Sequence, residues 1–127
     1  MKERKRILVV DDEPDITLSL KLCLDENGVK VDSFNDALLA LRNFKTGLYD
    51  ILILDVKMPK MNGFKLYKEM KKIDNSVEVF FLTALSEFQN YEEFNEIPLK
   101  LRQSHFIQKP IENQELLTRI NMIMGSP

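Results

Sequence analysis

Short apolar runs alternate with amphipathic stretches along this chain. Each apolar run has the length of a β-strand, and each amphipathic stretch repeats its apolar residues at helical spacing. Such an alternation favours a parallel sheet covered by helices on both faces. The apolar runs predict five strands, at about 6–10, 29–33, 50–54, 77–82 and 104–108.

Proline, asparagine and glycine mark the ends of the first two predicted helices. The first helix is expected over about 14–26, because Pro14 suits a first helical turn and Asn27-Gly28 suits a helix end. The second is expected to begin after Asn35, a natural N-cap residue, and to end before Gly47. Both helices would follow a strand directly, as in βαβ units.

Three further helices are expected in the second half of the chain. The third begins around Asn62-Gly63, and the last follows Pro110. A fourth is predicted over about 87–96, with a loop or short turn at 98–103, because Pro98 interrupts the helical spacing. The chain thus predicts five strands and five helices.

The length of 127 residues fits one domain over 1–127, with 1–5 as a basic leader and 125–127 as a tail or the start of a linker. Lysine and arginine number 18 and aspartate and glutamate 20, so the net charge is −2. This near balance gives no reason to expect direct binding of nucleic acid or of a membrane surface.

The single cysteine, Cys23, cannot form an internal disulfide, which fits a reducing compartment. No apolar stretch approaches the roughly 20 residues that a membrane-spanning helix needs. The amino terminus is charged where a signal peptide would be apolar. We therefore expect a soluble cytoplasmic protein.

Carboxylates stand where two of the apolar strands end. Asp55 follows Ile51-Leu52-Ile53-Leu54, and Asp11-Asp12 follow Ile7-Leu8-Val9-Val10. The carboxyl ends of parallel strands meet at one edge of the sheet, and open α/β sheets bind their ligands at that edge. The sequence therefore predicts three carboxylates close together.

These oxygen ligands suit a small, hard dication such as Mg²⁺, with Mn²⁺ as an alternative ion. Asp12 and Asp55 are expected to bind it directly and Asp11 through a water, and the backbone carbonyl of Lys57 could complete the set. An alternative interpretation of Asp11 or Asp12 is capping of the helix that begins at Pro14.

Two other predicted strands also end in polar groups. One is followed by Thr83-Ala84 and the other by Lys109-Pro110. A hydroxyl and an ammonium beside carboxylates supply a hydrogen-bond donor, a counter-charge and metal ligands. Together these groups can bind a phosphoryl group and neutralise its charge.

The chain resembles the receiver domains of response regulators over essentially its whole length. The motifs that carry the resemblance are Ile7-Leu8-Val9-Val10-Asp11-Asp12-Glu13-Pro14, Leu54-Asp55-Val56-Lys57-Met58-Pro59 with Asn62-Gly63, Thr83-Ala84, and Lys109-Pro110. The resemblance implies a three-layer α/β/α fold, with a flavodoxin-like five-stranded parallel sheet of order 2-1-3-4-5 and five helices.

The resemblance also implies a function in two-component signalling. Asp55 would accept a phosphoryl group from a sensor histidine kinase or a phosphotransfer protein, with Mg²⁺, Thr83 and Lys109 holding the charge on the phosphoryl oxygens. Such a receiver catalyses only its own phosphorylation and dephosphorylation, so it is not expected to be an enzyme for other substrates.

The signal is expected to reach a partner through a change of packing. In the family, the threonine moves toward the phosphoryl group and an aromatic residue in the last strand follows, which assigns these roles to Thr83 and Phe106. The face formed by the fourth helix, the fifth strand and the last helix would then contact an output domain or a downstream protein. The resemblance also suggests a homodimer on phosphorylation.

The chain departs from the family between Thr83 and Lys109. This segment is a few residues longer than expected, and Pro98-Leu99-Lys100-Leu101-Arg102 replaces a small glycine-containing turn. A receiver-like scaffold that binds a partner without phosphorylation is therefore one alternative. An aspartate-nucleophile phosphatase or a flavodoxin-type carrier is another, although no glycine-rich phosphate loop follows the first strand.

Overall fold

A computed structural model describes residues 6–84, 92–98, 100 and 105–124. Within them, five parallel strands form one sheet in the order β2-β1-β3-β4-β5, which confirms the predicted order. The predicted leader 1–5 and tail 125–127 lie outside the described residues. The strands are β1 Arg6–Val10, β2 Lys30–Phe34, β3 Ile51–Asp55, β4 Glu78–Thr83 and β5 Phe106–Gln108.

Within the described residues, the α-helices longer than one turn are α1 Pro14–Glu26, α2 Ala37–Arg42, α3 Gly63–Ile73 and a last helix, Asn113–Met124. The predicted fourth helix, 87–96, lies partly outside the described residues. Its described part, Glu92–Glu96, is a 3₁₀-helix and not an α-helix. Most of the predicted loop over 98–103 also lies outside the described residues.

Like β2, the strands β3 and β4 extend one residue beyond their predicted ends. Asp55 is the last residue of β3 and Thr83 the last of β4, where the apolar pattern predicts ends at 54 and 82. The ladder continues because Asp55 pairs with Leu82 and the N–H of Val56 donates to the carbonyl of Leu82 (2.9 Å). Backbone hydrogen bonding thus holds both polar residues at the sheet edge.

The predicted N-cap of α2 is wrong by one residue. Asp36, and not Asn35, caps the helix, because its Oδ1 accepts a hydrogen bond from the N–H of Leu39 (3.0 Å). The helix also ends earlier than expected, at Arg42 with Asn43 as its C-cap. The third helix begins at Gly63, within the predicted start, and Asn62 is its N-cap, with its Oδ1 accepting from the N–H of Lys65 (2.9 Å).

Apolar side chains from both faces of the sheet form two buried clusters. Leu8, Leu52 and Leu54 pack with residues of α2 and α3 on one face. Alternate residues of the same strands, including Ile7 and Ile53, pack with α1 and the last helix on the other face. The three-layer α/β/α arrangement is therefore confirmed. No helix in the described part of the chain is both long and apolar enough to span a membrane.

Asp74 joins two loops at the end of the sheet opposite to the strands' carboxyl ends. Its carboxylate accepts hydrogen bonds from the N–H of Gly47 (2.8 Å) and from the N–H and hydroxyl of Ser76 (3.0 and 2.6 Å). The Ser76 hydroxyl, followed by these N–H groups, lowers the pKa of Asp74 below its usual 3.8. The ionised form of Asp74 therefore stabilises the folded protein.

We predict that Asp74→Asn lowers the free energy of unfolding at neutral pH. Because the folded-state pKa of Asp74 is lowered, its contribution is complete well above pH 3.8 and is lost as the pH falls below that value. The difference between wild type and variant in urea unfolding should therefore shrink in acid. Ser76→Ala should also lower the free energy of unfolding at neutral pH, but by less than Asp74→Asn. A stability difference between wild type and Asp74→Asn that does not vary with pH would contradict this account.

Candidate functional site

The sheet brings the predicted polar residues to one edge. Asp11 follows β1 directly, Asp55 and Thr83 end β3 and β4, and Lys109 follows β5. A cavity of about 510 Å³ lies at this edge, and the residues that line it include Asp12, Asp55, Lys57, Thr83 and Lys109. The convergence predicted from the strand ends is therefore present.

The loop after β1 fixes the orientation of Asp11. This residue is completely buried, and its Oδ1 accepts a hydrogen bond from the N–H of Glu13 (2.9 Å). Its backbone carbonyl accepts from Nδ2 of Asn35 (2.8 Å), which also donates to Oγ1 of Thr17 (3.0 Å). The capping alternative is not supported, because the N-cap of α1 is Glu13 and no side chain caps that helix.

The three aspartates form a compact acidic cluster. One carboxylate oxygen from each of Asp11, Asp12 and Asp55 lies within 4.8 Å of the others. Oδ2 of Asp11 is buried, and its partner is Nζ of Lys109, 2.9 Å away. A buried carboxylate oxygen with an unused lone pair, beside two further carboxylates, fits a hard dication such as Mg²⁺.

Lys109 is the counter-charge of this cluster. Its Nζ lies 2.9 Å from Oδ2 of Asp11 and 3.3 Å from Oδ1 of Asp55, and its side chain is 13% exposed. Burial lowers the pKa of Lys109, but the carboxylates of Asp11, Asp55 and Glu13 outweigh that effect and raise it above its usual range. Lys109 is therefore charged throughout the physiological pH range. The peptide bond from Lys109 to Pro110 is cis.

The pKa values of the two buried aspartates, Asp11 and Asp55, are raised. In the metal-free site, burial and the neighbouring Asp11 raise the pKa of Asp55 to about 7, although Lys109 acts in the opposite direction. Burial also raises the pKa of Asp11, against the N–H of Glu13 and the ammonium of Lys109. The acidic cluster therefore holds more negative charge than Lys109 compensates, and a bound dication would relieve this imbalance.

Thr83 and Phe106 lie on the paired strands β4 and β5. Thr83 is opposite Gln108, and its carbonyl accepts a hydrogen bond from the N–H of Lys109 (2.7 Å). The ring of Phe106 is half-buried, with its centroid 5.3 Å from that of Phe81 and 5.9 Å from that of Phe64. Phe106 is opposite Phe81, two residues before Thr83 in β4, while the switch role of Thr83 and Phe106 stays a prediction.

Two residues of the site were not predicted from the sequence. Oε1 of Glu13 lies 3.2 Å from Nζ of Lys109, and Asn35 orients the loop that carries Asp11. The contact made by Asn35 links residues 24 positions apart, so local spacing gives no sign of it. Glu13 could have been noticed, because it directly follows Asp11-Asp12 in the chain.

Fold and site together define an α/β domain with a metal-binding and phosphoryl-binding geometry at the carboxyl edge of its sheet. Residues 7–121 match the family described as response regulator receiver domain. The chain is therefore a member of this family, and it is a receiver domain of two-component signalling.

Curated relatives place the same domain in different proteins. The chain is 37% identical over 117 residues to the transcriptional regulatory protein DltR of Streptococcus agalactiae, covering 92% of this chain and 50% of DltR. It is 36% identical over 93 residues to the sensor protein EvgS of Escherichia coli, covering 73% of this chain and 8% of EvgS. The chain thus spans about half the length of DltR and 8% of the length of EvgS.

A solved structure with a sequence identity close to that of these relatives has the same fold. The response regulator TrrA of Thermotoga maritima, described as a complex with Mg(2+)-BeF, is 32% identical and superposes with a TM-score of 0.78. The superposition covers 94% of this chain and 98% of TrrA. The fold of this chain therefore matches a receiver whose structure contains Mg²⁺ and beryllofluoride.

Proposed function

We propose that this domain accepts a phosphoryl group on Asp55 from the phosphohistidine of a sensor histidine kinase or a phosphotransfer protein, in a Mg²⁺-dependent reaction. The observation that carries the proposal is the cluster of three carboxylates with the Lys109 ammonium 3.3 Å from Asp55, beside a cavity that Thr83 also lines. The Mg²⁺ and beryllofluoride in the TrrA complex support the same use of the site.

Asp55 is the nucleophile in this reaction. One of its carboxylate oxygens attacks phosphorus, forming an O–P bond as the P–N bond to the imidazole breaks, and the imidazole nitrogen keeps the bonding electron pair and takes up a proton. Lys109 neutralises charge on the transferred group, and the Thr83 hydroxyl donates a hydrogen bond to it. Attack by water on the phosphoaspartate reverses the modification.

The acidic cluster would hold Mg²⁺ through Asp11, Asp12 and Asp55, with the backbone carbonyl of Lys57 completing the protein ligands; Mn²⁺ suits the same oxygen set. When bound, this ion neutralises charge on the phosphoryl oxygens. The domain thus catalyses only its own phosphorylation and dephosphorylation and is not an enzyme for other substrates.

Phosphorylation replaces the single negative charge of the Asp55 carboxylate with the roughly two charges of an acyl phosphate, and it adds acceptor oxygens at the sheet edge. Thr83 and Lys109 move toward the new oxygens, and Phe106 repacks against Phe81 and Phe64. The face of the fourth predicted helix, β5 and the last helix then contacts an output domain or a downstream protein in the cytoplasm, or a second copy of the phosphorylated domain. The contact of Phe106 with Phe81, the direct pairing partner of Phe106 in β4, supports this route.

We expect acetyl phosphate with Mg²⁺ to add one phosphoryl group to the protein. Intact-mass spectrometry should detect the adduct with Mg²⁺ and not with EDTA, because the carboxylates and the donor repel each other without the dication. Hydroxylamine should remove the group, as it does from acyl phosphates but not from phosphate esters. An adduct of equal yield in EDTA would contradict the proposed metal-dependent reaction.

A further inference from the structure

Glu13 occupies a capping position that it does not use for capping. It is the N-cap residue of α1, with extended backbone angles, yet its side chain accepts no hydrogen bond from the first turn of that helix. Its Oε1 instead lies 3.2 Å from Nζ of Lys109. The carboxylate is 62% exposed, so it stands at the mouth of the cavity, facing the ammonium from the solvent side.

Lys109 therefore has three carboxylate partners, which differ in whether they belong to the acidic cluster. Asp11 and Asp55 belong to the acidic cluster in which one oxygen of each lies within 4.8 Å of the others. Glu13 contacts Lys109 but lies outside that cluster in the described part of the chain. It is thus the partner whose charge serves neither the nucleophile nor the predicted dication.

We propose that Glu13 is a positioning residue that competes with the phosphoryl group for the ammonium of Lys109. The inference rests on the proposed function of Asp55. In the unphosphorylated domain, Glu13 holds Lys109 toward the mouth of the cavity, and this contact is lost when Lys109 turns to the phosphoryl oxygens. The negative charge of Glu13 also repels an anionic donor. Both effects slow phosphorylation, so removing the charge of Glu13 should raise its rate.

Glu13→Gln should therefore speed phosphorylation by acetyl phosphate about two- to fivefold at saturating Mg²⁺, the range expected from losing one exposed ion pair. Asp15→Asn is the matched control, because it removes the same charge from an exposed residue two positions away. It should leave the rate within about twofold of wild type, as a surface substitution that changes no contact of Lys109. A rate for Glu13→Gln equal to or below wild type would overturn the proposal.

A double-mutant cycle separates action through Lys109 from a general effect of charge. In a Lys109→Met background, where phosphorylation is slower overall, Glu13→Gln should accelerate phosphorylation less than it does with Lys109 present, because only the repulsion of the donor remains. The same acceleration in both backgrounds would show a through-space effect of charge alone and would overturn the positioning role.

The ion pair can also be tested without metal or phosphodonor. In EDTA, Glu13→Gln should shift the urea midpoint downward by about 0.3 M more in the protein with Lys109 than in the Lys109→Met background. No coupling in this cycle would overturn the proposal whatever the rates show. If wild type accepts no phosphoryl group, the proposed function fails, whereas coupling in urea would still establish the contact.

Discussion

The variant Asp55→Asn is expected to be more stable than wild type by about 2–4 kcal/mol when no divalent metal is present. Asp55 is 4% exposed, and burial together with Asp11 raises its pKa from 3.8 to about 7 in the metal-free site. Ionising this carboxylate at neutral pH therefore costs folding free energy, and an amide of the same shape avoids the cost. Urea unfolding in EDTA measures the difference.

The pH dependence of that difference follows from the direction of the shift. Because the folded-state pKa of Asp55 is raised, the penalty is absent near pH 3.8, grows as the pH rises, and is complete above about pH 7. The advantage of Asp55→Asn should grow over the same interval. Asp15→Asn, at an exposed position, should change stability by less than about 0.5 kcal/mol. A variant no more stable than wild type at neutral pH would contradict the argument.

Gly63→Ala should destabilise the protein by about 3 kcal/mol or more, because its backbone lies against the end of β3. A Cβ atom at this position would overlap the carbonyl oxygen of Asp55 and lie 2.9 Å from its carbonyl carbon and 3.1 Å from Cα of Val56. The N–H of Gly63 also donates to the carbonyl of Val56 (2.9 Å). The chain must therefore move at the residue that carries the nucleophile.

Gly28→Ala is the control for this prediction. Gly28 has a positive φ of 78°, but a Cβ atom there would meet nothing within 4 Å. Gly28→Ala should therefore lower the free energy of unfolding only by the cost of holding alanine at a positive φ, about 1–2 kcal/mol. Urea unfolding gives both values, and phosphorylation by acetyl phosphate should slow in Gly63→Ala alone. Equal losses of stability in the two variants would show that the close approach to Asp55 is not the cause.

The sheet and the main site could be predicted from the sequence because both depend on local patterns. Apolar runs mark buried parallel strands, and the carboxyl ends of parallel strands lie at one edge, so the sequence places Asp55, Thr83 and Lys109 together. The prediction of strand order 2-1-3-4-5 came from the family resemblance and is confirmed.

The remaining features depend on contacts that spacing does not show. Asn35 and Asp36 are both good N-cap residues, and the choice between them follows from the hydrogen bond of Asn35 to the backbone of Asp11. The pair of Glu13 and Lys109 joins residues 96 positions apart. Glu92–Glu96 has helical spacing but forms a 3₁₀-helix, in which Phe94 packs on Phe64 with ring centroids 6.0 Å apart.

The central claim, that Asp55 is the phosphoacceptor, is tested most directly by intact-mass spectrometry of wild type and Asp55→Asn after incubation with acetyl phosphate and Mg²⁺. Both proteins must first show a cooperative urea unfolding transition, so that loss of fold is not mistaken for loss of the acceptor. We predict one phosphoryl adduct on wild type and none on Asp55→Asn. An unmodified wild type, or an adduct of equal yield on the variant, would contradict the account.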